Sequence, residues 1–332
     1  MSKKLFTLST TAILMSGTAF ANPINVAADI APLHSLVQRV MDGVGTADLI
    51  IQPGASPHEY SLRPSEAAAL QNADLVFWIG DDLTPWLTDT IETLAPNADV
   101  TAVLESNDTI KLEFRESAMF EAHDHDDHDD HDDHDEHDEH DETEEHDDHD
   151  KTEESDHEGH NHGAHDPHAW LSPQNAMTWL NLIAGKLSAA DPKNAGAYFA
   201  NAAAGRSEIE IVINEVNATL DPVRGGQFIV FHDAYQYFEN GFDFPATGAI
   251  SLSDATDSSP ARIEEIRQRI SEEGIDCVLA EPQFNPGLVQ TVLDGTNAQT
   301  GILDPLGSDL EPGSTLYPQL IKNLANALAN CI

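Results

Sequence analysis

Positive charge is scarce in this chain. Fifteen Lys and Arg stand against 59 Asp and Glu, for a net charge of −44. That balance excludes a nucleic-acid binder, whose affinity comes from neutralising phosphates, and suits a protein whose ligands are cations. Long apolar runs are also missing. The one candidate, Leu5 to Gly17, is about 13 residues, short of the ~20 that span a bilayer. Lys3 and Lys4 precede it and Ala19-Phe20-Ala21 follows, the pattern of an export signal cleaved after Ala21. No cysteine sits at that cleavage site, which argues against a lipid anchor. The expected product is a soluble protein of the bacterial periplasm beginning at Asn22. Recognisable catalytic signatures are absent as well. There is no His-Glu-x-x-His, no Gly-x-Ser-x-Gly and no P-loop, since Gly185-Lys186 is followed by Leu187. No enzyme activity is expected.

Cysteine is nearly absent, with only Cys277 and Cys331 present. In an oxidising compartment an isolated pair is expected to form a disulfide. The alternative is two free thiols that ligate metal, but Cys331 lies beside the C-terminus, where a staple against fraying is the simpler role.

Histidine is abundant by contrast, and confined. Thirteen of the 17 lie between His123 and His165, in a run made almost entirely of His, Asp and Glu. That run holds 22 acidic residues and one lysine, Lys151. Without apolar residues it cannot pack and is expected to be disordered. From His125 to His140 histidine recurs at every third position, which does not keep a single face of a 3.6-residue helix. The run offers imidazole and carboxylate at high density, a set suited to zinc and its neighbours. We expect weak, multi-site zinc capture by it, against the alternative of a solvated acidic loop.

Elsewhere the pattern is strand–helix alternation. Apolar strands are expected at Asn25–Ile30, Asp48–Gln52, Leu75–Gly80 and Val100–Leu104, with helices at Leu33–Met41 and Pro64–Asn72. After the acidic run come a helix at Pro173–Ala190 and a second helical stretch from Pro192 to Leu220, some 42 Å long if unbroken. Strands follow at Phe228–Phe231, Pro245–Ile250, Cys277–Ala280 and Thr300–Leu303. A helix is expected from Ser259-Pro260 to Gly274, and a last one over Tyr317–Ala329. The fold class is α/β: two lobes with parallel sheets joined by a long helix. The divisions are 1–21 for the signal, 22–190 for the first lobe with its insertion at 121–165, 191–221 for the connecting helix and 222–332 for the second lobe.

Four histidines lie outside the run. His58, His168 and His232 follow strand-like segments or sit in loops where such strands should end, the place where open α/β sheets bind ligands. Each alone would be ordinary; three at equivalent places suggest one shared metal site. Asp304, in Gly301-Ile-Leu-Asp-Pro-Leu-Gly307, could supply a fourth ligand or simply begin a turn. His34 starts a helix and is expected to be structural.

The words Pro53-Gly-Ala-Ser-Pro-His-Glu-Tyr-Ser-Leu-Arg-Pro-Ser65, Ala73-Asp-Leu-Val-Phe-Trp-Ile-Gly80, Asp166-Pro-His-Ala-Trp-Leu171, His232-Asp-Ala-Tyr235 and Asp304-Pro-Leu-Gly307 resemble the metal-specific solute-binding proteins of ABC importers. The likeness is greatest to their zinc-uptake (ZnuA-like) branch and runs in order through nearly the whole mature chain. It implies a metal held between two lobes, with His58, His168 and His232 as ligands. It implies Zn²⁺ as the transported ion, because manganese-binding relatives tend to carry a carboxylate where His232 stands. It also implies partners, an inner-membrane permease with its cytoplasmic ATPase, and the protein itself is expected to be a monomer. Cys277 and Cys331 resemble that family's disulfide pair. One departure matters: some zinc-binding relatives place Glu before the first ligand histidine, where this chain has Pro57, so the fourth position falls to Asp304 or to water. A zinc hydrolase and a secreted zinc buffer are the competing functions. The first would need a positioned base beyond Glu59 or Asp233; the second differs only in lacking dependence on a permease.

Overall fold

The computed structural model describes residues 24–115, 165–251, 260–284 and 286–332. The export signal, almost all of the acidic run and Ser259 lie outside them. Two four-stranded sheets form the frame, each parallel throughout. The first contains β1 (Val26–Ala28), β2 (Ala47–Leu49), β3 (Leu75–Trp78) and β4 (Asp99–Ala102), in the order β2-β1-β3-β4. Their connections are α1 (Ala31–Met41), α2 (Pro64–Asn72) and α3 (Pro85–Leu94). After α4 (Pro173–Ala190) and α5 (Ala195–Leu220) the second lobe repeats the pattern. Its strands are β5 (Phe228–His232), β6 (Gly248–Ser251), β7 (Cys277–Ala280) and β8 (Gln299–Ile302), in the order β6-β5-β7-β8. Its helices are α6 (Gln236–Phe242), α7 (Pro260–Glu273), α8 (Pro286–Leu293) and α9 (Leu316–Cys331).

The α/β class with parallel sheets and a long central helix is as expected. Central strands buried on both faces need unbroken apolar runs, and β5 (Phe-Ile-Val-Phe-His) is buried at all five positions. Proline occupies the first position of α2, α3, α4, α7 and α8, where its missing N–H costs nothing and its fixed φ is already helical. Each sheet reverses its winding direction at its middle pair, β1/β3 and β5/β7, and ligand crevices open at the carboxyl ends of such pairs.

Three differences from the sequence reading have local causes. It assigns no element to α3, α6 or α8, which are only 7 to 10 residues long and show few turns of a helical period. The long helix is not continuous from Pro192: a 3₁₀ turn at Pro192–Asn194 precedes α5, whose 26 residues give about 39 Å. Nor does α5 run free between the lobes. Its buried stripe of Tyr198, Ala202, Gly205, Ile209, Val212, Val216 and Leu220 has helical spacing and packs against α1, α4 and α9. One apolar core therefore runs from Val26 in the first sheet through α5 to Leu328 in α9. The disulfide is present, joining Cys277 at the head of β7 to Cys331 at the end of α9.

Candidate metal centre

His232 is the last residue of β5, at the reversal point of the second sheet. The β5–β7 register pairs Phe228 with Cys277 and Ile229 with Val278; carried forward, it sets His232 opposite Glu281. Imidazole Nδ1 and carboxylate Oε1 meet at 2.7 Å, and Glu281 is buried. His168 lies in the first lobe's last loop, just before a 3₁₀ turn at Ala169–Leu171 that leads into α4. It is not preceded by a described strand. Asp166, two residues earlier, takes its backbone N–H at 3.0 Å and its Nδ1 at 2.7 Å. His58 belongs to the long loop between β2 and α2. Trp86 fixes that loop by donating Nε1–H to the Pro57 carbonyl at 2.8 Å. Tyr60 and the Arg63 backbone fix it from the other side by donating to Glu66, at 2.9 and 2.7 Å.

These three histidines converge. One nitrogen from each lies within 4.8 Å of the others, and His168 and His232 are 5% and 4% exposed. With Nδ1–H of each directed at a carboxylate, Nε2 carries the lone pair, and the Nε2 atoms of His168 and His232 face one another at 3.3 Å. Two lone pairs at that distance repel unless a cation lies between them. Zinc–nitrogen bonds of about 2.0 to 2.1 Å set tetrahedral ligands roughly 3.3 to 3.4 Å apart. The spacing and the hydrogen-bonded carboxylates behind the rings are those of a carboxylate–histidine–metal relay. A cavity of about 20 Å³, lined by the three rings with Trp170, Phe284 and Leu306 among others, has room for one ion or water and not for an organic substrate.

Burial raises the Glu281 carboxyl above its usual range against the opposing pull of His232, and raises Asp166 to about 7 against the His168 N–H and Arg115. Behind them Arg115 joins Glu239 at 2.8 Å and Asp233 at 3.4 Å. Asp233, pushed up to about 7 by burial, is drawn down chiefly by that guanidinium. Tyr237 donates its hydroxyl to the Asp166 carbonyl at 2.8 Å and accepts the Leu112 N–H at 2.9 Å. Both flanks of the acidic run, at Arg115 and Asp166, are thus tied to α6 beside His232.

Asp304 sits close by but is differently employed. Its Oδ1 accepts from Leu306 N–H at 3.0 Å and from Gln283 Nε2 at 3.2 Å, and its Oδ2 from Ser308 N–H at 2.5 Å. Those bonds build the turn after β8, and Asp304 is not in the group whose donor atoms converge with the histidines. His34 stands apart, its Nε2 3.0 Å from the Ala47 carbonyl where it tacks α1 to β2. Asp166 and Glu281 are the residues that the sequence reading did not single out. Asp166 was signalled by its place two before a candidate ligand, and Glu281 by following a strand as the histidines were expected to do.

Sequence and structure comparisons place the chain among known proteins. The family described as zinc-uptake complex component A, periplasmic, matches residues 26–331. The chain is 50% identical over 307 residues to the high-affinity zinc uptake system protein ZnuA of Brucella abortus (strain 2308), covering 92% of this chain and 91% of that protein. The protein of the same name from Paracoccus denitrificans (strain Pd 1222) is 45% identical over 308 residues, with 92% and 91% covered. Among solved structures, a zinc-bound ZnuA deletion mutant matches with a TM-score of 0.70 at 20% identity, over 93% of this chain and 98% of the other. The periplasmic zinc binding protein TroA from Treponema pallidum matches at 0.68 and 16% identity, over 93% and 98%. At these identities the two structures speak for a shared fold.

Proposed function

The chain belongs to the zinc-uptake complex component A family of periplasmic proteins, and from that we propose that it is the solute-binding component of a high-affinity zinc importer. It binds Zn²⁺ between its lobes and hands it to an inner-membrane permease driven by a cytoplasmic ATPase. The family is one of transport proteins and not an enzyme class. Among the described residues no helix is long and apolar enough to cross a membrane, in keeping with a protein that works outside one. We assign cleavage after Ala21, action as a monomer, and lobes at 22–190 and 222–332 joined through 191–221.

The ligands we assign are His58, His168 and His232. The observation that carries this is the 3.3 Å approach of two buried Nε2 atoms, each ring held from behind by a carboxylate. The fourth position falls to water or to Asp304. Ligation by Asp304 would give up turn hydrogen bonds from Leu306 and Ser308, each contributing about 1 kcal/mol net, so water is the less costly partner. Three neutral imidazoles leave the zinc charge undiminished, and Asp166 and Glu281, when ionised, offset it through the rings. The acidic histidine-rich run serves as auxiliary capture.

Zinc binding measured by chelator competition tests this on the mature chain, on a chain lacking residues 123–165 and on a His58/His168/His232→Ala triple variant. One tight site that survives the deletion and vanishes in the triple variant is expected. Tight binding lost with the deletion instead would move the principal site into the acidic run. A permease-independent rescue of zinc-limited growth would favour a buffer over an importer component.

A further inference from the structure

Asp304 stands at the edge of the metal cavity, whose wall includes the next two residues, Pro305 and Leu306. Its backbone is fixed on either side. Tyr235 donates its hydroxyl to the Leu303 carbonyl at 3.0 Å, and Trp170 donates Nε1–H to the Pro305 carbonyl at 2.8 Å. Only the Asp304 side chain is then left to choose between the turn and an ion. Within the turn it accepts from the N–H groups of Leu306 and Ser308 and from the Ser308 hydroxyl. One donor comes from elsewhere. Gln283, beyond the end of β7, gives Nε2–H to Asp304 Oδ1 at 3.2 Å and to Ser308 Oγ at 3.0 Å.

Gln283 is itself held from both sides. Glu281 is bonded to His232 Nδ1, and the Phe284 ring stacks on Phe231 with centroids 4.4 Å apart. Between those anchors Gln283 lines the same cavity as the three histidines. Both Asp304 oxygens already accept from backbone N–H groups, so the amide turns its nitrogen toward them and its oxygen away. That oxygen, Oε1, is buried, and no described group donates to it. A metal-bound water would satisfy it, because such a water has two hydrogens to donate and the cavity has room for it.

We propose that Gln283 is a specificity-determining residue. Its NH₂ group keeps Asp304 in the turn, and its carbonyl accepts a hydrogen bond from water on the metal, so the fourth ligand is neutral water and not a carboxylate. This rests on His58, His168 and His232 holding zinc. The choice of fourth ligand bears on which metal is carried. Imidazole suits zinc, whereas carboxylate and other oxygen ligands suit manganese. Three imidazoles and a water make a nitrogen-rich, four-coordinate shell. Admitting Asp304 would add an anionic ligand able to bind through one oxygen or both, and would move the site toward manganese.

Zinc-loaded crystals of the mature full-length chain and of a Gln283→Met variant, which keeps side-chain length and removes the amide, read the fourth ligand directly. In the wild type zinc is expected on the three histidines with Asp304 still in its turn. In the variant an Asp304 oxygen should lie about 2.0 to 2.2 Å from zinc. By chelator competition with Zn²⁺ and with Mn²⁺, the variant's affinity for manganese relative to zinc should rise about tenfold, the equivalent of one charge-assisted hydrogen bond. Adding Asp304→Asn to Gln283→Met should cancel that rise, whereas a general loosening of the loop would persist in the double variant. Asp304 bound to zinc in the wild type overturns the proposal. So does an unmoved Asp304 or an unchanged metal preference in Gln283→Met, or a preference that persists in the double variant. Zinc absent from the three histidines in both proteins defeats the reading on which the proposal rests, and the proposal with it.

Discussion

His168 and His232 are both aimed by a buried carboxylate on Nδ1, and that arrangement selects the tautomer that presents Nε2 to the cavity. Replacing the carboxylate with its amide keeps shape and removes charge. Asp166→Asn and Glu281→Gln are each expected to weaken zinc binding by 10- to 100-fold with all three histidines intact, as read by chelator competition. No change in either variant would show that the rings are positioned by packing alone. The first sheet has a carboxylate at its own reversal point. Asp29, just beyond β1, accepts N–H bonds from Ile30 at 2.7 Å and Ile79 at 2.8 Å. Burial raises its pKa from 3.8 to about 7 against those bonds. Its folded pKa lies above its unfolded one, so the folded state binds the extra proton. Its contribution to stability is fully present below pH 3.8 and is lost as pH rises through about 7. The wild type should therefore lose more stability between pH 5 and pH 8 than Asp29→Asn, by urea midpoints in zinc-free buffer; parallel losses would refute it. That His58, His168 and His232 come together was legible in the sequence because so few histidines lie outside the acidic run. The use of Asp304 was not, because an Asp before Pro reads equally as a ligand or as the start of a turn.

Among the elements, α5 carries an apparent contradiction, a glycine in the middle of a 26-residue helix. Glycine there costs about 1 kcal/mol of helix propensity relative to alanine. Packing explains it. A Cβ built on Gly205 would lie 3.0 Å from Leu180 Cδ1 on α4 and 3.1 Å from Arg39 Cγ on α1. Neither neighbour yields easily: Leu180 is wholly buried, and Arg39 is pinned by paired 2.9 Å bonds to Glu208 of α5 itself. Crowding of this kind costs about 1 to 3 kcal/mol, which outweighs the propensity gain. Gly205→Ala is expected to lower stability by roughly 1 kcal/mol, where an exposed helix would gain; a raised unfolding midpoint would mean that α4 can shift aside. The bounds of α2, α4 and β7 could be read directly from proline, Asp-Pro and glycine punctuation. The close approach of α1, α4 and α5 could not, because a tolerated glycine and a required one look the same until the neighbouring helix is known.

At the scale of the whole molecule, alternation of strands and helices was enough to predict two parallel sheets, since each strand's partner is the next one or two along the chain. The return of α9 was not predictable. It leaves β8 of the second lobe and lies against α1 and α5, donating the Tyr317 N–H to Ser35 Oγ at 2.9 Å and the Tyr317 hydroxyl to the Trp170 carbonyl at 2.9 Å. Those contacts are 282 and 147 residues apart in sequence, and no local pattern encodes them. Their consequence is mechanical. Large hinge closure needs a few loop residues free to absorb changes in φ and ψ, whereas here one apolar core passes from lobe to lobe beneath the site. Zinc uptake and release must then proceed with little rotation of the lobes, through side chains and loops around the cavity. Spin labels at Glu92 on α3 and Glu272 on α7, both exposed, should keep their mean separation to within about 2 Å between chelated and zinc-loaded protein, the range of pre-organised binding. A shift well beyond that would establish a hinge within the core itself and make lobe rotation the step that admits the ion.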